Sequence, residues 1–287
     1  MRYAVNLPII ADFSDPRSLV RLAQRAESAG WDGVFVWDSL LFDEKWMPPV
    51  IDPWVTLAAI AATTYRVKIG TMLAQLARRR PWKVAREVVT LDNLSDGRMI
   101  LGVALGFSAS AEYEQFGEDG NARVRADKLD ESLEIITGLC SGEPFSYNGQ
   151  YYQIKETTFL PRPVQQPRVP VWVGGYWPNR RPFRRAARWD GVCPAEIEVR
   201  SDGFSILTTS PDSVRNILGY VNEYRTATGS FDVIVSRALP QEDPAQTAEI
   251  VAAYQEAGVT WLLRDLLPWE VSFAQAEQII DRGPPQP

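Results

Sequence analysis

The chain has 287 residues, of which 45% are hydrophobic and 23% are charged, a composition typical of a soluble globular protein. A formal net charge of −6 disfavours a general nucleic-acid binder, and no apolar run is long enough to span a membrane. The sequence contains no histidine, which excludes Ser-His-Asp and Cys-His catalysis and histidine-ligated metals, so we expect no metal site.

Helices and strands alternate from one end of the chain to the other. The predicted strands cover residues 2–7, 32–37, 67–73, 99–105, 169–173, 191–194, 232–237 and 259–264. The predicted helices cover residues 16–29, 53–63, 81–94, 121–139, 179–188 and 211–226, a segment that starts at 244, and residues 271–282. Asn148-Gly149 between aromatic runs predicts a β-hairpin within residues 145–159.

The stretch from Arg78 to Gly106 shows this alternation most clearly. Pro81 suits the first position of a helix, and Gly97 suits the left-handed residue that ends one. The following run from Met99 to Leu105 is almost wholly apolar, as expected of a strand covered on both faces in a parallel sheet.

Eight helix–strand alternations without a long polar linker predict one α/β domain over residues 1–287. We expect a (β/α)8 TIM barrel with the hairpin inserted between the fourth helix and the fifth barrel strand. In such a barrel the active site lies at the C-terminal ends of the strands. This rule nominates residues 7–8, 38–39, 72–75, 106, 174–177, 194–196, 237 and 264–265.

Some of the nominated residues also suggest a chemistry. Gly174-Gly175, followed by a helix, is one way to hold a phosphate, although a tight strand-to-helix turn explains the pair equally well. Asp38 is a candidate acid/base or polar anchor, and a loop-capping role is equally compatible with its position. Asp265 and Glu196 are weaker candidates of the same kind. Arg78-Arg79-Arg80 predicts a charged loop at the mouth of the site, where solvated side chains are the simpler interpretation and one inward ion pair the alternative.

Three blocks of sequence carry a resemblance to a known family. Residues 70–106, 125–154 and 169–194 resemble, in the usual order, the luciferase-like flavin-dependent monooxygenase superfamily. This superfamily includes bacterial luciferase and the deazaflavin (F420)-dependent reductases and dehydrogenases. The resemblance covers most of the chain, but it does not specify the substrate.

The resemblance implies a flavin ring over the C-terminal ends of the barrel strands. It also implies a non-proline cis peptide near the end of the third strand, around Met72-Leu73-Ala74, and a cofactor phosphate on the turn after the fifth strand. Together with the strand-end rule and the arginine-rich segments, these implications give the predicted cofactor-binding residues Leu7, Trp37, Met72, Leu73, Ala74, Arg80, Gly106, Gly174, Gly175, Tyr176, Trp177 and Arg180.

The sequence departs from its relatives at two places. Many relatives carry histidine at the end of the second strand, where this chain has Trp37-Asp38-Ser39. Bacterial luciferase has an arginine just before the glycine that follows the fourth strand, where this chain has Leu105. We expect Arg80 or Arg180 to replace the lost charge.

These considerations predict a flavin-dependent oxidoreductase, with a monooxygenase that uses reduced FMN and O2 on a small organic substrate as the first hypothesis. Asp38 and Ser39 would position the substrate or relay protons. The alternatives are an F420-dependent hydride-transfer enzyme, a flavin-binding protein without turnover, and a flavin-independent barrel hydrolase or lyase.

The remaining expectations concern location and partners. Cys140 and Cys193 lie far apart and the first residues lack the features of a signal peptide, so we expect a cytoplasmic protein. We expect a homodimer without nucleic-acid or membrane partners, and a separate flavin reductase is a candidate partner. Loops 39–52, 107–120 and 195–209 should shape the substrate pocket.

Overall fold

The structure, a computed structural model, describes residues 1–42, 47–106, 112–200, 203–239 and 243–285. The strands are β1 (Arg2–Leu7), β2 (Gly33–Val36), β3 (Lys68–Gln75), β4 (Met99–Ala104), β5 (Phe145–Asn148), β6 (Gln153–Thr157), β7 (Val171–Trp177), β8 (Gly191–Arg200), β9 (Gly203–Leu207), β10 (Asp232–Ser236) and β11 (Trp261–Asp265). The α-helices are α1 (Pro16–Ser28), α2 (Pro53–Thr63), α3 (Pro81–Leu94), α4 (Ala122–Cys140), α5 (Arg180–Ala186), α6 (Pro211–Tyr224), α7 (Pro244–Glu256) and α8 (Phe273–Asp281).

Eight of the strands close into a parallel barrel. The pairing order is β10-β11-β1-β2-β3-β4-β7-β8, and β8 pairs again with β10 to complete the ring. Helices lie between consecutive strands, which is the predicted (β/α)8 TIM barrel. The C-terminal ends of all eight strands therefore meet at one mouth.

Local sequence signals begin the helices where they were expected. Pro is at the first turn of α1, α2, α3, α6 and α7. Asp15, Asp52, Ser210 and Asp243 accept hydrogen bonds from backbone N–H groups at the starts of α1, α2, α6 and α7. These caps satisfy donors that have no partner within the helix.

Apolar side chains fill two layers. The inner layer lies inside the barrel and contains Ala4, Phe35, Met72, Ile100, Trp172, Ile234, Trp261 and Leu263. The larger outer layer lies between the barrel and its helices. Phe35, Trp172 and Trp261 contact one another with ring centroids 5.1 to 6.0 Å apart, so the barrel is packed with side chains and is not a pore.

The predicted hairpin insertion is confirmed. Strands β5 and β6 pair antiparallel between α4 and β7. The Glu131 carboxylate on α4 accepts backbone hydrogen bonds of 2.7 Å from Gln150 and 3.0 Å from Tyr151 and Tyr152. These bonds tie the hairpin tip to the barrel's helical layer.

Two predicted strand ends were wrong. The fifth barrel strand extends through Trp177 instead of stopping at Val173, and the sixth extends through Arg200 instead of stopping at Pro194. Residues 174–177 pair in register with residues 193–196, so each strand supports the extension of the other. The unpredicted strand β9 then pairs antiparallel with the end of β8.

Among the described helices, none has the length and apolar character that a bilayer crossing requires.

Candidate functional site

The floor of the barrel mouth is formed by the end of β3. The Met72–Leu73 peptide is cis, as the resemblance implied, and the pairing register between β3 and β4 shifts between Thr71 and Ala74. Met72 belongs to the buried inner layer, whereas Leu73 is only partly buried and packs against that layer.

Leu73 lies across two glycines on neighbouring strands. A Cβ atom built on Gly174 would lie 2.2 Å from Leu73 Cδ1, and one built on Gly102 would lie 3.0 Å from Leu73 Cδ2. Both distances are shorter than ordinary contacts between carbon atoms. The two glycines therefore create the space that seats Leu73 as an apolar platform at the mouth.

The double glycine, Gly174-Gly175, lies in a different structural element from the predicted one. Gly174 and Gly175 lie within β7 and not in a strand-to-helix turn, which corrects the expected turn from Gly174 to Pro178. A Cβ on Gly175 would lie 2.3 Å from Pro182 Cβ in α5. Close packing against Leu73 on one side and Pro182 on the other accounts for both glycines.

An aromatic and cationic group follows at the end of β7. The Arg180 guanidinium lies 4.2 Å from the Trp177 ring centroid and 4.5 Å from the centroid of Tyr220 on α6. Both distances are within the range of cation–π attraction. Arg180 is exposed and forms no ion pair among the described residues, so its positive charge remains available. Burial raises the pKa of neighbouring Tyr176, which keeps the phenol neutral.

Asp38 lies in a buried ion-pair network. Its Oδ1 accepts hydrogen bonds from Arg78 Nη2 at 2.9 Å and Arg79 Nη2 at 2.7 Å, and its side chain is fully buried. Arg78 Nε lies 3.2 Å from Glu112 Oε2, so one guanidinium bridges two carboxylates. Two arginines of the run thus face inward, where at most one was expected. Asp38 remains a predicted catalytic residue, but it is engaged by two cations.

Glu112 is a site residue that the sequence reasoning missed. Its carboxylate accepts the backbone N–H of Leu40 at 3.1 and 3.0 Å, and the Ser39 side chain also bonds to it. Burial raises the pKa of Glu112, although the charge of Arg78 opposes this shift. Glu112 therefore fixes the segment that carries the predicted residues Asp38 and Ser39. Its signal in the sequence was only a carboxylate on a loop.

A second polar cluster lies inside the mouth. Asn6 Nδ2 donates to Asp265 Oδ1 at 2.6 Å, and the Ser236 side chain also bonds to Asp265. Burial raises the pKa of Asp265 against the opposing effect of these hydrogen bonds, so the carboxyl holds its proton to a higher pH than an ordinary aspartate. Burial also raises the pKa of the neighbouring Cys193 thiol to about 12, which excludes a thiolate at neutral pH.

Gly106, a predicted cofactor-binding residue, packs closely against the Gln75 side chain, as Gly174 packs against Leu73. It has a φ of +86°, and a Cβ there would lie 1.9 Å from Gln75 Oε1. Gln75 Nε2 donates to the Asp38 carbonyl at 3.2 Å, while its buried Oε1 has no hydrogen-bond partner. At the neighbouring Leu105, the carbonyl accepts hydrogen bonds from Arg125 at 2.8 Å and Tyr113 at 3.1 Å.

A cluster of three aromatic side chains includes Trp37, which directly follows β2. Trp37 stacks on Phe42 with centroids 6.3 Å apart, and Trp269 lies 5.9 Å from Trp37 and 5.4 Å from Phe42. Leu7, at the end of β1, is fully buried, and Ala74 is buried on β3. Residues 43–46, 107–111 and 201–202 of the predicted pocket loops lie outside the described residues.

Arg80, the third arginine of the run, differs from Arg78 and Arg79 in forming no ion pair among the described residues. It is exposed and faces a small cavity of about 110 Å³ between the β3–α3 loop and the hairpin tip. A larger cavity, about 380 Å³ and lined by Trp82, Ile154 and Phe159 among others, also lies against the hairpin. Arg78 and Arg79 pair with carboxylates at the mouth, whereas Arg80 lines this cavity beside them without an ion pair among the described residues.

The family of the chain follows from comparison with known proteins. Residues 4–194 match the family model described as luciferase-like monooxygenase. Because the match covers more than half of the chain, the protein belongs to the luciferase-like monooxygenase family. Members of this family are oxidoreductases, and both F420-dependent and flavin-dependent enzymes occur among the relatives of this chain.

Two curated relatives illustrate this range. The chain is 36% identical over 169 residues to an F420-dependent glucose-6-phosphate dehydrogenase from Microbacterium testaceum, covering 57% of this chain and 48% of the relative. It is 30% identical over 165 residues to the oxygenase component of a flavin-dependent trigonelline monooxygenase from Acinetobacter baylyi, covering 58% of this chain and 44% of the relative. The chain spans about half the length of these relatives.

Similarity to solved structures extends over the whole chain. An F420-dependent secondary alcohol dehydrogenase in complex with an F420–acetone adduct superposes with a TM-score of 0.76 at 17% identity. The superposition covers 99% of this chain and 98% of that one. At this identity the likeness shows the fold alone.

The residues at the mouth fit a ring cofactor of the flavin type. Leu73 offers an apolar contact, and Arg180 offers a positive charge that no described carboxylate neutralises. The buried oxygens Asn6 Oδ1 and Gln75 Oε1 have no hydrogen-bond partner. Buried polar atoms are ordinarily paired, and carbonyl oxygens suit the N–H groups of a flavin ring.

Proposed function

We propose that the protein is a monooxygenase that uses reduced FMN and O2 on a small organic substrate bound at the barrel mouth. The observation that carries the proposal is the Leu73 platform, seated over Gly102 and Gly174 with two unpaired carbonyl oxygens in the same mouth. An apolar surface with a few convergent polar groups is typical of a cofactor site.

The residues of the chain would bind and orient the cofactor. Leu73 would contact the ring face, while Asn6 Oδ1 and Gln75 Oε1 would accept its N–H groups. Arg180, held between Trp177 and Tyr220, would attract the cofactor phosphate. When bound, reduced FMN supplies the two electrons that convert O2 into one oxygen atom added to the substrate and one molecule of water.

The absence of histidine favours oxygen chemistry. Oδ1 of Asp38 is occupied by hydrogen bonds from two arginines. The sequence has no histidine, so a protein base at the mouth would have to be a carboxylate, a tyrosine, a lysine or a cysteine. A reaction in which the cofactor activates O2 depends less on such a base than hydride removal from an alcohol does.

An F420-dependent hydride transfer is the second candidate. It is favoured by the 36% identity to an F420-dependent dehydrogenase and by Asp265, whose raised pKa makes it a proton donor for a carbonyl that receives a hydride. When bound, reduced F420 would supply the hydride for a substrate carbonyl carbon, and Asp265 would donate the proton to the carbonyl oxygen.

Product analysis under ¹⁸O2 tests the proposal. The protein is mixed with chemically reduced FMN and a panel of small apolar substrates, and the products are analysed by mass spectrometry. We expect one labelled oxygen atom in the product and more oxidation of FMN with substrate than without it. Turnover with reduced F420 under nitrogen, with no reaction of reduced FMN, would establish the second candidate instead.

Two partner expectations belong to the same proposal. A monooxygenase of this kind needs a source of reduced FMN, and we propose a separate flavin reductase and a homodimeric state. Addition of a flavin reductase with NADH should replace chemically reduced FMN in the labelling experiment. Sedimentation at micromolar concentration should give twice the 32.2 kDa mass of the chain.

A further inference from the structure

The third arginine of the run faces a pocket that the proposed reaction does not use. This pocket, about 110 Å³ in volume, lies between the β3–α3 loop, α4 and the hairpin tip. Its lining residues are Ala77, Arg78, Arg79, Arg80, Glu118, Lys128, Tyr151 and Tyr152. Ring cofactors occupy sites of about 300–1,000 Å³, so this pocket has room for one small polar group and not for a flavin.

The lining carries a positive charge that no described carboxylate neutralises. Arg78 and Arg79 are balanced by Asp38 and Glu112 at the barrel mouth. Lys128 Nζ lies 3.3 Å from Glu118 Oε2, so the charges of these two residues balance each other. Among the described residues Arg80 forms no ion pair, and the lining is therefore positive in a chain whose net charge is −6.

The pocket also has the geometry of a binding site. Lys128 has only 20% of its side chain exposed, and Tyr152 is buried, so the cation is partly shielded from solvent. Electrostatic attraction is stronger there than at an open surface. The Tyr151 hydroxyl accepts a hydrogen bond from Gln150 at 3.4 Å, and its own hydrogen is available to donate.

We propose that this pocket binds an oxyanion, a phosphate or a carboxylate group, through Arg80, Lys128 and Tyr151. Arginine supplies several N–H donors in one plane, lysine supplies a second positive charge, and tyrosine supplies a neutral donor. The residues come from the β3–α3 loop, from α4 and from the hairpin tip. The hairpin insertion thus completes a site that the barrel alone would lack, and the inference does not depend on which cofactor the mouth binds.

Anion titrations of the full chain test the proposal. Sodium phosphate and sodium glutarate are titrated separately by calorimetry, with sodium chloride at matched ionic strength as the reference. We expect saturable binding of at least one of the two anions. Phosphate binding alone would assign a phosphate group, glutarate binding alone a carboxylate, and binding of both an oxyanion site of broad specificity.

Three variants establish where the anion binds. Arg80→Gln with Lys128→Gln should weaken binding at least tenfold, whereas Arg123→Gln, an exposed arginine at the start of α4, should leave it unchanged. Glu118→Gln should tighten binding, because Lys128 loses a competing carboxylate, and damage to the fold would not produce such a gain. Absence of saturable binding, or equal binding by wild type and the double variant, would overturn the proposal.

Discussion

One guanidinium pairs with both buried carboxylates at the rim of the mouth, and Arg79 pairs with one of them. Arg78 lies 2.9 Å from Asp38 and 3.2 Å from Glu112, and the exposed fraction of each of the three side chains is 3% or less. Buried charges are tolerated when they are paired, and removal of one partner leaves the other uncompensated. Arg78 is therefore the residue on which this rim depends most.

Replacement of Arg78 should be costly. We expect Arg78→Met to lower the free energy of unfolding by about 3–5 kcal/mol, the usual cost of breaking a buried ion pair. Adding Glu112→Gln should recover part of the loss, because one uncompensated charge is then removed. Urea denaturation measures both effects, and Arg123→Met, on an exposed part of α4, should stay within about 0.5 kcal/mol of wild type. If Arg78→Met lost no more stability than the control Arg123→Met, the ion-pair network would not be stabilising.

The pKa of Asp265 predicts a dependence of stability on pH. Because its pKa is raised in the folded state, the folded protein keeps a proton that the unfolded chain has already released. Stability must then fall as the pH rises from the ordinary aspartate pKa, about 3.9, to the raised value. Each unit of difference between the two values corresponds to about 1.4 kcal/mol.

Asp265→Asn removes this dependence and leaves a side chain of nearly the same shape. We expect the free energy of unfolding of wild type to decrease relative to the variant as the pH is raised through this window. Urea denaturation at a series of pH values measures the difference. The raised pKa of Glu112 is present in both wild type and Asp265→Asn, so its effect cancels in the comparison. Parallel pH profiles would show that the carboxyl is not perturbed as described.

At the level of elements, the contact of β3 with β4 and β7 determines the shape of the mouth. Leu73 rests where Gly102 and Gly174 leave space, so three strands contribute to one platform. The two glycines differ in what surrounds them. A Cβ on Gly174 would meet the Leu73 side chain, whereas a Cβ on Gly102 would lie 2.2 Å from the Thr71 backbone oxygen.

This difference predicts distinct responses to substitution. Gly174→Ala should destabilise the protein by about 1–3 kcal/mol through overpacking, and Leu73→Ala in the same chain should restore most of that loss. Gly102→Ala should be destabilising with or without Leu73→Ala, because the clash is with backbone. Thermal unfolding of the four variants separates these cases. Failure of Leu73→Ala to relieve Gly174→Ala would contradict the described seating of Leu73.

The elements that could be predicted are those with signals in their own residues. Asp15-Pro16, Asp52-Pro53 and Ser210-Pro211 mark helix starts, and apolar runs mark the barrel strands. The ends of β7 and β8 could not be predicted, because each extension depends on pairing with the other strand. Strand β9 was missed for the same reason, since it exists only against the end of β8.

The site was less predictable than the fold. The barrel rule placed Asp38, Leu73 and Gly174 at one end of the molecule, but their partners come from distant parts of the chain. Glu112 meets Arg78 across a gap of more than thirty residues, and Asn6 meets Asp265 across almost the whole sequence. No local pattern marks such a pair, so the ion pairing of Asp38 and the raised pKa of Asp265 required the folded structure.

At the scale of the whole molecule, the closed barrel brings these separate contributions to one mouth. The family match identifies the chain as a luciferase-like monooxygenase family member, and the mouth supplies the Leu73 platform, unpaired carbonyl oxygens and the cation Arg180. The pocket against the hairpin tip shares Arg78 and Arg79 with the rim of this mouth. The central claim is that the mouth binds a flavin-type cofactor.

Equilibrium binding of cofactors tests that claim most directly. FMN, riboflavin and F420 are titrated into the protein, in oxidised and in reduced form, and binding is followed by cofactor fluorescence or absorbance. We expect saturable binding of FMN with one site per chain, weaker binding of riboflavin, which lacks the phosphate, and weaker binding of FMN by Arg180→Gln. Absence of saturable binding for FMN and for F420 in both redox states would contradict the account.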